Sequence, residues 1–250
     1  MFKKIVINAI KILIVALVCW GLVCLYREKI YYKPEAVANR IEKASKRQYE
    51  SKLEDAKSLA ANEGVVVILD AFGGGNEQGL KYEQALEKDI TIAVAKEAQR
   101  LLKEKNITVF LTRDGDFGLS ERQRVSLRDA TQADYCIRIT VSEGEENQTG
   151  VLVRYSSSYY DNKLTNAEFA AILEQNICDR AQTNACGIVD VCAEDSGEEV
   201  KWLEHTQRPC AIVSVGYISN DTERNALVNS AYQKKLAEGI EKAILVCVEE

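Results

Sequence analysis

The feature that most limits the fold is a repeated switch between short apolar runs and longer amphipathic segments. Val65 to Leu69 is a continuous apolar run, followed at once by Asp70-Ala71-Phe72 and the glycines Gly73, Gly74 and Gly75. A run so short and uniform suits a strand covered on both faces. From Lys88 to Lys105, Ile90, Ala93, Val94, Ala98, Leu101 and Leu102 recur at helical spacing. The alternation continues with a strand over Ile107–Leu111, a helix over Ser120–Thr131 with Ser120 as its N-cap, and strands over Tyr135–Val141 and Val151–Tyr155. A helix over Asn166–Gln182, a strand over Ala211–Val215 and a closing helix over Tyr232–Val248 complete it. Only two prolines interrupt the chain. The pattern predicts an α/β fold, with a mostly parallel or mixed central sheet flanked by helices on both faces.

The N-terminus has another character. No residue from Ile12 to Tyr26 is charged, and the apolar stretch reaches back to Ile5 with only Asn8 and Lys11 interrupting it. About 20 apolar residues cross a bilayer core of roughly 30 Å. No A-x-A-like cleavage site precedes Arg27-Glu28-Lys29, so residues 1–26 read as an uncleaved transmembrane signal anchor, inserted through residues 5–26. A short basic tail on a first segment stays inside, which places residues 27–250 on the extracytoplasmic side of the cell membrane. Residues 27–63 read as a charged juxtamembrane helix or linker, mostly solvated and ending at Asn62-Glu63-Gly64, and residues 64–250 as the α/β domain.

Charge and composition exclude several functions. The formal charge of −6 includes three lysines and no acid in residues 1–26, so residues 27–250 carry −9. No basic stripe is available to displace counterions from phosphates, which argues against a nucleic-acid partner. His205 is the single histidine, so any site needing two imidazoles is excluded. Cys136, Cys210 and Cys247 sit in apolar runs and read as buried hydrophobes, whereas Cys178, Cys186 and Cys192 are better placed for pairing. The glycine loop lacks both the Lys-Ser/Thr of a P-loop and the G-x-G-x-x-G spacing of a dinucleotide site. Ser214 ends a strand in Val213-Ser214-Val215-Gly216, but Ile212 stands where a nucleophile elbow has its first glycine.

Six blocks in order carry a family resemblance: Val67-Ile68-Leu69-Asp70-Ala71 with its glycines, Leu86-Glu87-Lys88-Asp89-Ile90, Val109 to Asp114, Leu119-Ser120-Glu121-Arg122, Ala133 to Ile137, and Pro209 to Asn220. Together they resemble the zinc-dependent N-acetylmuramoyl-L-alanine amidases, bacterial cell-wall hydrolases of the type 3 family, from Val65 to about Val248. The resemblance implies three zinc ligands and a catalytic glutamate. The first ligand position, a histidine in the family, falls on Phe72 or Gly73. The second is kept as Glu87. The third, again a histidine, falls on Thr140, with Ser142 for the asparagine two residues on. The catalytic glutamate position, counted from Pro209, holds Ser214.

Phenylalanine offers no lone pair, threonine is a weak neutral ligand, and one carboxylate holds Zn²⁺ poorly against water. No metal ligation and no catalytic residue are therefore expected, and no cofactor. Asp70, Phe72, Glu87, Thr140, Ser142 and Ser214 are expected to line the family's groove. The expected function is a membrane-anchored, catalytically inactive amidase-like protein of the envelope. It would bind peptidoglycan or another envelope protein of a wall-remodelling complex. The −9 charge does not favour adsorption to an anionic wall, and the acidic segments Glu143–Gly150 and Ala193–Glu199 are candidate partner surfaces or plain solvated loops. The alternative is an active amidase with a non-standard zinc site drawn from Glu87, His205, Asp70 and a cysteine.

Overall fold

The computed structural model describes residues 17, 19–20, 34–158, 164–191 and 197–249. Apart from residues 17, 19 and 20 the predicted membrane span lies outside the described residues, as do Cys192 and most of the acidic segment 193–199. Among the described residues no helix is long and apolar enough to cross a membrane.

The chain forms α1 (Pro34–Leu59), β1 (Val66–Ala71), a hairpin of β2 (Lys81–Tyr82) and β3 (Ala85–Leu86), α2 (Glu87–Glu104), β4 (Thr108–Leu111) and α3 (Glu121–Thr131). It continues through β5 (Tyr135–Ser142), β6 (Val151–Tyr155), α4 (Asn166–Ala181), β7 (Ala185–Asp190), a 3-10 turn over Glu198–Trp202, β8 (Cys210–Tyr217), α5 (Asp221–Leu227) and α6 (Ser230–Glu249). Six strands make one sheet in the order β4-β1-β5-β8-β6-β7. All neighbours run parallel except β6 and β8, so the sheet is mixed.

Each strand of the sheet's centre buries both sides. Alternate residues of β1 separate onto two cores: Val67, Leu69 and Ala71 join Val94, Ala98, Phe169 and Ile240 from α2, α4 and α6, while Val66 and Ile68 join Leu127 of α3 and Trp202 of the 3-10 turn. This is why the run from Val65 shows no alternation. The helix starts follow local chemistry: Ser120 caps α3 and Thr165 caps α4, each in a reciprocal capping box with Gln123 and Glu168. Gly239 lets α6 approach α4, since a Cβ there would stand 2.4 Å from the Ile177 Cα.

Three elements carry no strong local signal. The edge strand β7, Ala-Cys-Gly-Ile-Val-Asp, is largely exposed and has no apolar alternation. The hairpin strands have two residues each. The seven-residue α5 follows the strand where a loop was expected, and rests on the Asn220 side chain accepting from the Glu223 N–H.

Residues Gln48–Glu250 form one compact unit. The last turns of α1 belong to the domain: Ala56 is fully buried and Tyr49, Leu53 and Leu59 pack on the Trp202 core. Lys52 donates to Asp114 at 2.9 Å and lies over the Phe110 ring. Four apolar residues at helical spacing are enough to dock a helix whose other face is charged.

Cys136 and Cys210 are buried register partners on β5 and β8. Cys178 and Cys186 are free thiols, each donating to a backbone carbonyl, of Asn184 and Thr149 respectively.

Candidate functional site at the carboxyl ends of the strands

Two polar clusters form where β1, β5 and β8 end. The first surrounds Asp70, expected to line a groove but fully buried. Its carboxylate accepts from Thr112 Oγ1, Arg124 Nη1 and Arg138 Nε, each at 2.6 Å. Burial alone would raise its pKa; the guanidiniums of Arg124 and Arg138 and the Thr112 hydroxyl overcome that and hold it at about 2. Arg138, also fully buried, reaches Glu121 at 2.7 Å and stacks 4.9 Å from the Trp202 ring. Burial raises the Glu121 pKa more than Arg138 lowers it.

The glycine loop is tied down by the same group. Arg113 donates to the carbonyls of Ala71, Phe72 and Lys88 at 2.8, 2.9 and 2.6 Å, and Arg124 to that of Gly73 at 2.6 Å. Burial and the neighbouring Arg124 lower the Arg113 pKa to about 10. Gly74, at φ 124°, admits no side chain, because a Cβ would meet the Phe117 carbonyl at 2.3 Å. The half-buried Phe72 ring lies 5.6 Å from the Arg124 guanidinium and 5.7 Å from that of Arg138. Phe72 and Asp70 therefore belong to an ion network.

The second cluster holds the other expected residues. Glu87 opens α2 and is 3% exposed; one carboxylate oxygen accepts from the Leu80 N–H at 2.8 Å, the other from the Val141 N–H at 3.0 Å. Thr140 and Ser214 are register partners on β5 and β8, and their hydroxyls meet at 3.0 Å. Arg154 on β6 donates to Ser214 Oγ at 3.2 Å. Ser142, two residues beyond Thr140 and past a break in the β5–β8 register, has a buried hydroxyl with no hydrogen-bond partner.

Sequence reasoning overlooked Arg138 and Arg154. A visible signal existed for each, a lone arginine within an apolar strand, since a buried guanidinium demands a partner.

This donor set does not suit zinc. Glu87 is the one carboxylate in the cluster, Thr140 and Ser214 offer neutral hydroxyls bonded to each other, and Phe72 offers nothing. Among the described residues no three His, Cys, Asp or Glu side chains gather as a metal site. His205 stands exposed at φ 53° in the turn before β8.

Known proteins share this framework. A chain from Clostridium difficile 630 described as N-acetylmuramoyl-L-alanine amidase superposes with a TM-score of 0.67 at 25% identity, covering 76% of this chain and 99% of its own. The CwlD amidase of Clostridioides difficile, solved in complex with the GerS lipoprotein, superposes at 0.62 with 20% identity, over 74% of this chain and 99% of its own. The germination-specific N-acetylmuramoyl-L-alanine amidase of Bacillus subtilis is 27% identical over 197 residues, 73% of this chain and 79% of that protein. The family Amidase_3, described as N-acetylmuramoyl-L-alanine amidase, matches residues 66–246, from the first strand of the sheet to the last helix. With that match spanning the whole sheet, the chain belongs to the N-acetylmuramoyl-L-alanine amidase family.

Proposed function

We propose that this protein is a non-hydrolytic member of its family, anchored in the cell membrane by residues 5–26, with its domain on the extracytoplasmic side. It acts by binding peptidoglycan or a wall-remodelling protein partner. One observation carries the inactivity: beside the retained Glu87 the other family positions hold Phe72, Thr140 and Ser214, and the single imidazole, His205, lies before the start of β8, away from its carboxyl end. At the catalytic position the Ser214 hydroxyl supplies no base of useful strength near neutral pH. A protein partner has a parallel in CwlD, which was solved together with a lipoprotein.

The test uses the full chain, purified in detergent without a histidine tag. Zinc content is measured, and peptidoglycan is digested alongside. The expected result is far less than one zinc per chain and no released stem peptide. Zinc near one per chain with chelator-sensitive release of stem peptide would overturn the proposal in favour of an active amidase with a non-standard metal site.

A further inference from the structure

Arg154 differs from the other arginines at this end of the sheet. Arg124 and Arg138 meet carboxylates, Arg113 meets carbonyls, and Arg224 meets Asp221. Arg154 is half-buried; its one side-chain hydrogen bond among the described residues goes to the neutral Ser214 hydroxyl, and its charge also acts on the Tyr217 phenol. A guanidinium has five donors in a planar fork, so most of its hydrogen-bonding capacity is unspent. Further along β5, two residues beyond Thr140, Ser142 has a buried, unpartnered hydroxyl. Buried hydroxyls in native proteins are ordinarily paired, so this one calls for a partner.

The carboxylates nearby are already engaged. Glu87 accepts from the N–H groups of Leu80 and Val141, and Glu223 from those of Gly150 and Tyr217. Neither makes an ion pair with Arg154. One unspent positive fork beside two or three hydroxyls complements a planar anion.

We propose that Arg154, Ser214, Thr140 and Ser142 form a binding site for a carboxylate of a peptidoglycan fragment, at the position where relatives carry out hydrolysis. The inference rests on the binding function proposed above and gives its ligand a chemistry: an acid, where the hydrolytic substrate is a neutral amide. Wall material offers such an acid in two places. One is the lactyl carboxylate of muramic acid, bare once an amidase has removed the stem peptide. The other is the C-terminal carboxylate of a stem peptide. In the first case the protein would bind what an amidase reaction produces.

The experiment titrates the full chain in detergent by calorimetry with N-acetylmuramic acid, with N-acetyl-D-alanyl-D-alanine, and with the methyl ester of each. One acid is expected to bind at least tenfold more tightly than its ester, and which acid it is identifies the source. Arg154→Gln should remove that preference and Arg154→Lys should keep part of it, with circular dichroism confirming that both fold. Equal binding of acid and ester, no binding of either acid, or an unchanged preference in Arg154→Gln would overturn the proposal. A chain without zinc or hydrolysis that also binds no acid refutes only the carboxylate site. Zinc with product release refutes the binding function itself.

Discussion

The clusters around Asp70 on β1 and Ser214 on β8 lie on either side of β5 at the same end of the sheet, yet they are completed to very different degrees. Around Asp70 the charges answer one another: one carboxylate, two guanidiniums and a threonine, with Glu121 closing the far side of Arg138. Around Ser214 the hydroxyls are sparsely paired, Arg154 bonds only to a neutral hydroxyl, and Ser142 has no partner. Charges taken out of water must be matched within the protein or the fold is lost. A hydroxyl costs far less to leave incomplete. Stability therefore concentrates in the first cluster, and the second is free to serve a ligand.

That contrast breaks most easily at Arg138. Replacing it with Met strips Asp70 and Glu121 of a shared partner inside the core, and should cost ~3–5 kcal/mol in a urea unfolding measurement. A loss under ~1 kcal/mol would show that the network contributes little.

Acid tests the same cluster more gently. The folded-state pKa of Asp70, about 2, lies below the ordinary carboxylate value of 3.8, so its contribution is complete above pH 4 and fades as the pH falls toward 2. The loss should be about 2 kcal/mol, read from urea midpoints across that window and reduced in Asp70→Asn. Glu121 works in the opposite sense, because its folded-state pKa is raised and its protonation in acid relieves a burial cost. That effect lies at and above pH 4.5 and is complete by pH 4, so a rise in stability as the pH falls toward 4.5 would mark Glu121.

The smallest effects belong to the hydroxyl cluster. Ser142→Ala removes a hydroxyl that bonds to nothing and should change stability by less than ~0.5 kcal/mol, or improve it slightly. Ser214→Ala takes a partner from Thr140 and Arg154 and should cost about 1 kcal/mol. If Ser142→Ala proved the costlier of the two, Ser142 would have a partner and the contrast between the clusters would narrow.

Most of the sheet was legible because its strands are continuous apolar runs and its helices are amphipathic with side-chain caps. The element that escaped, β7, is an exposed edge strand held by pairing to β6, which leaves no hydrophobic trace. The docking of α1 escaped for a related reason: Tyr49, Leu53, Ala56 and Leu59 are too few to mark a buried face until a core exists to receive them. Within the site, counting from Pro209 located Ser214 opposite Thr140. Nothing in the spacing revealed that Asp70 would be used up by Arg124 and Arg138, partners 54 and 68 residues away.

The sequence by itself determined the α/β alternation, the helix starts at Ser120 and Thr165, and the shortage of imidazoles, because each is a property of local pattern or of composition. The tertiary structure alone decided which polar groups are spent and which are left over. It committed Glu87 to two backbone N–H groups, sealed Asp70 in an ion network, and left Arg154 with a single neutral partner. Hydrogen bonds and ion pairs saturate with whatever neighbours the fold supplies, and those neighbours are distant in the chain.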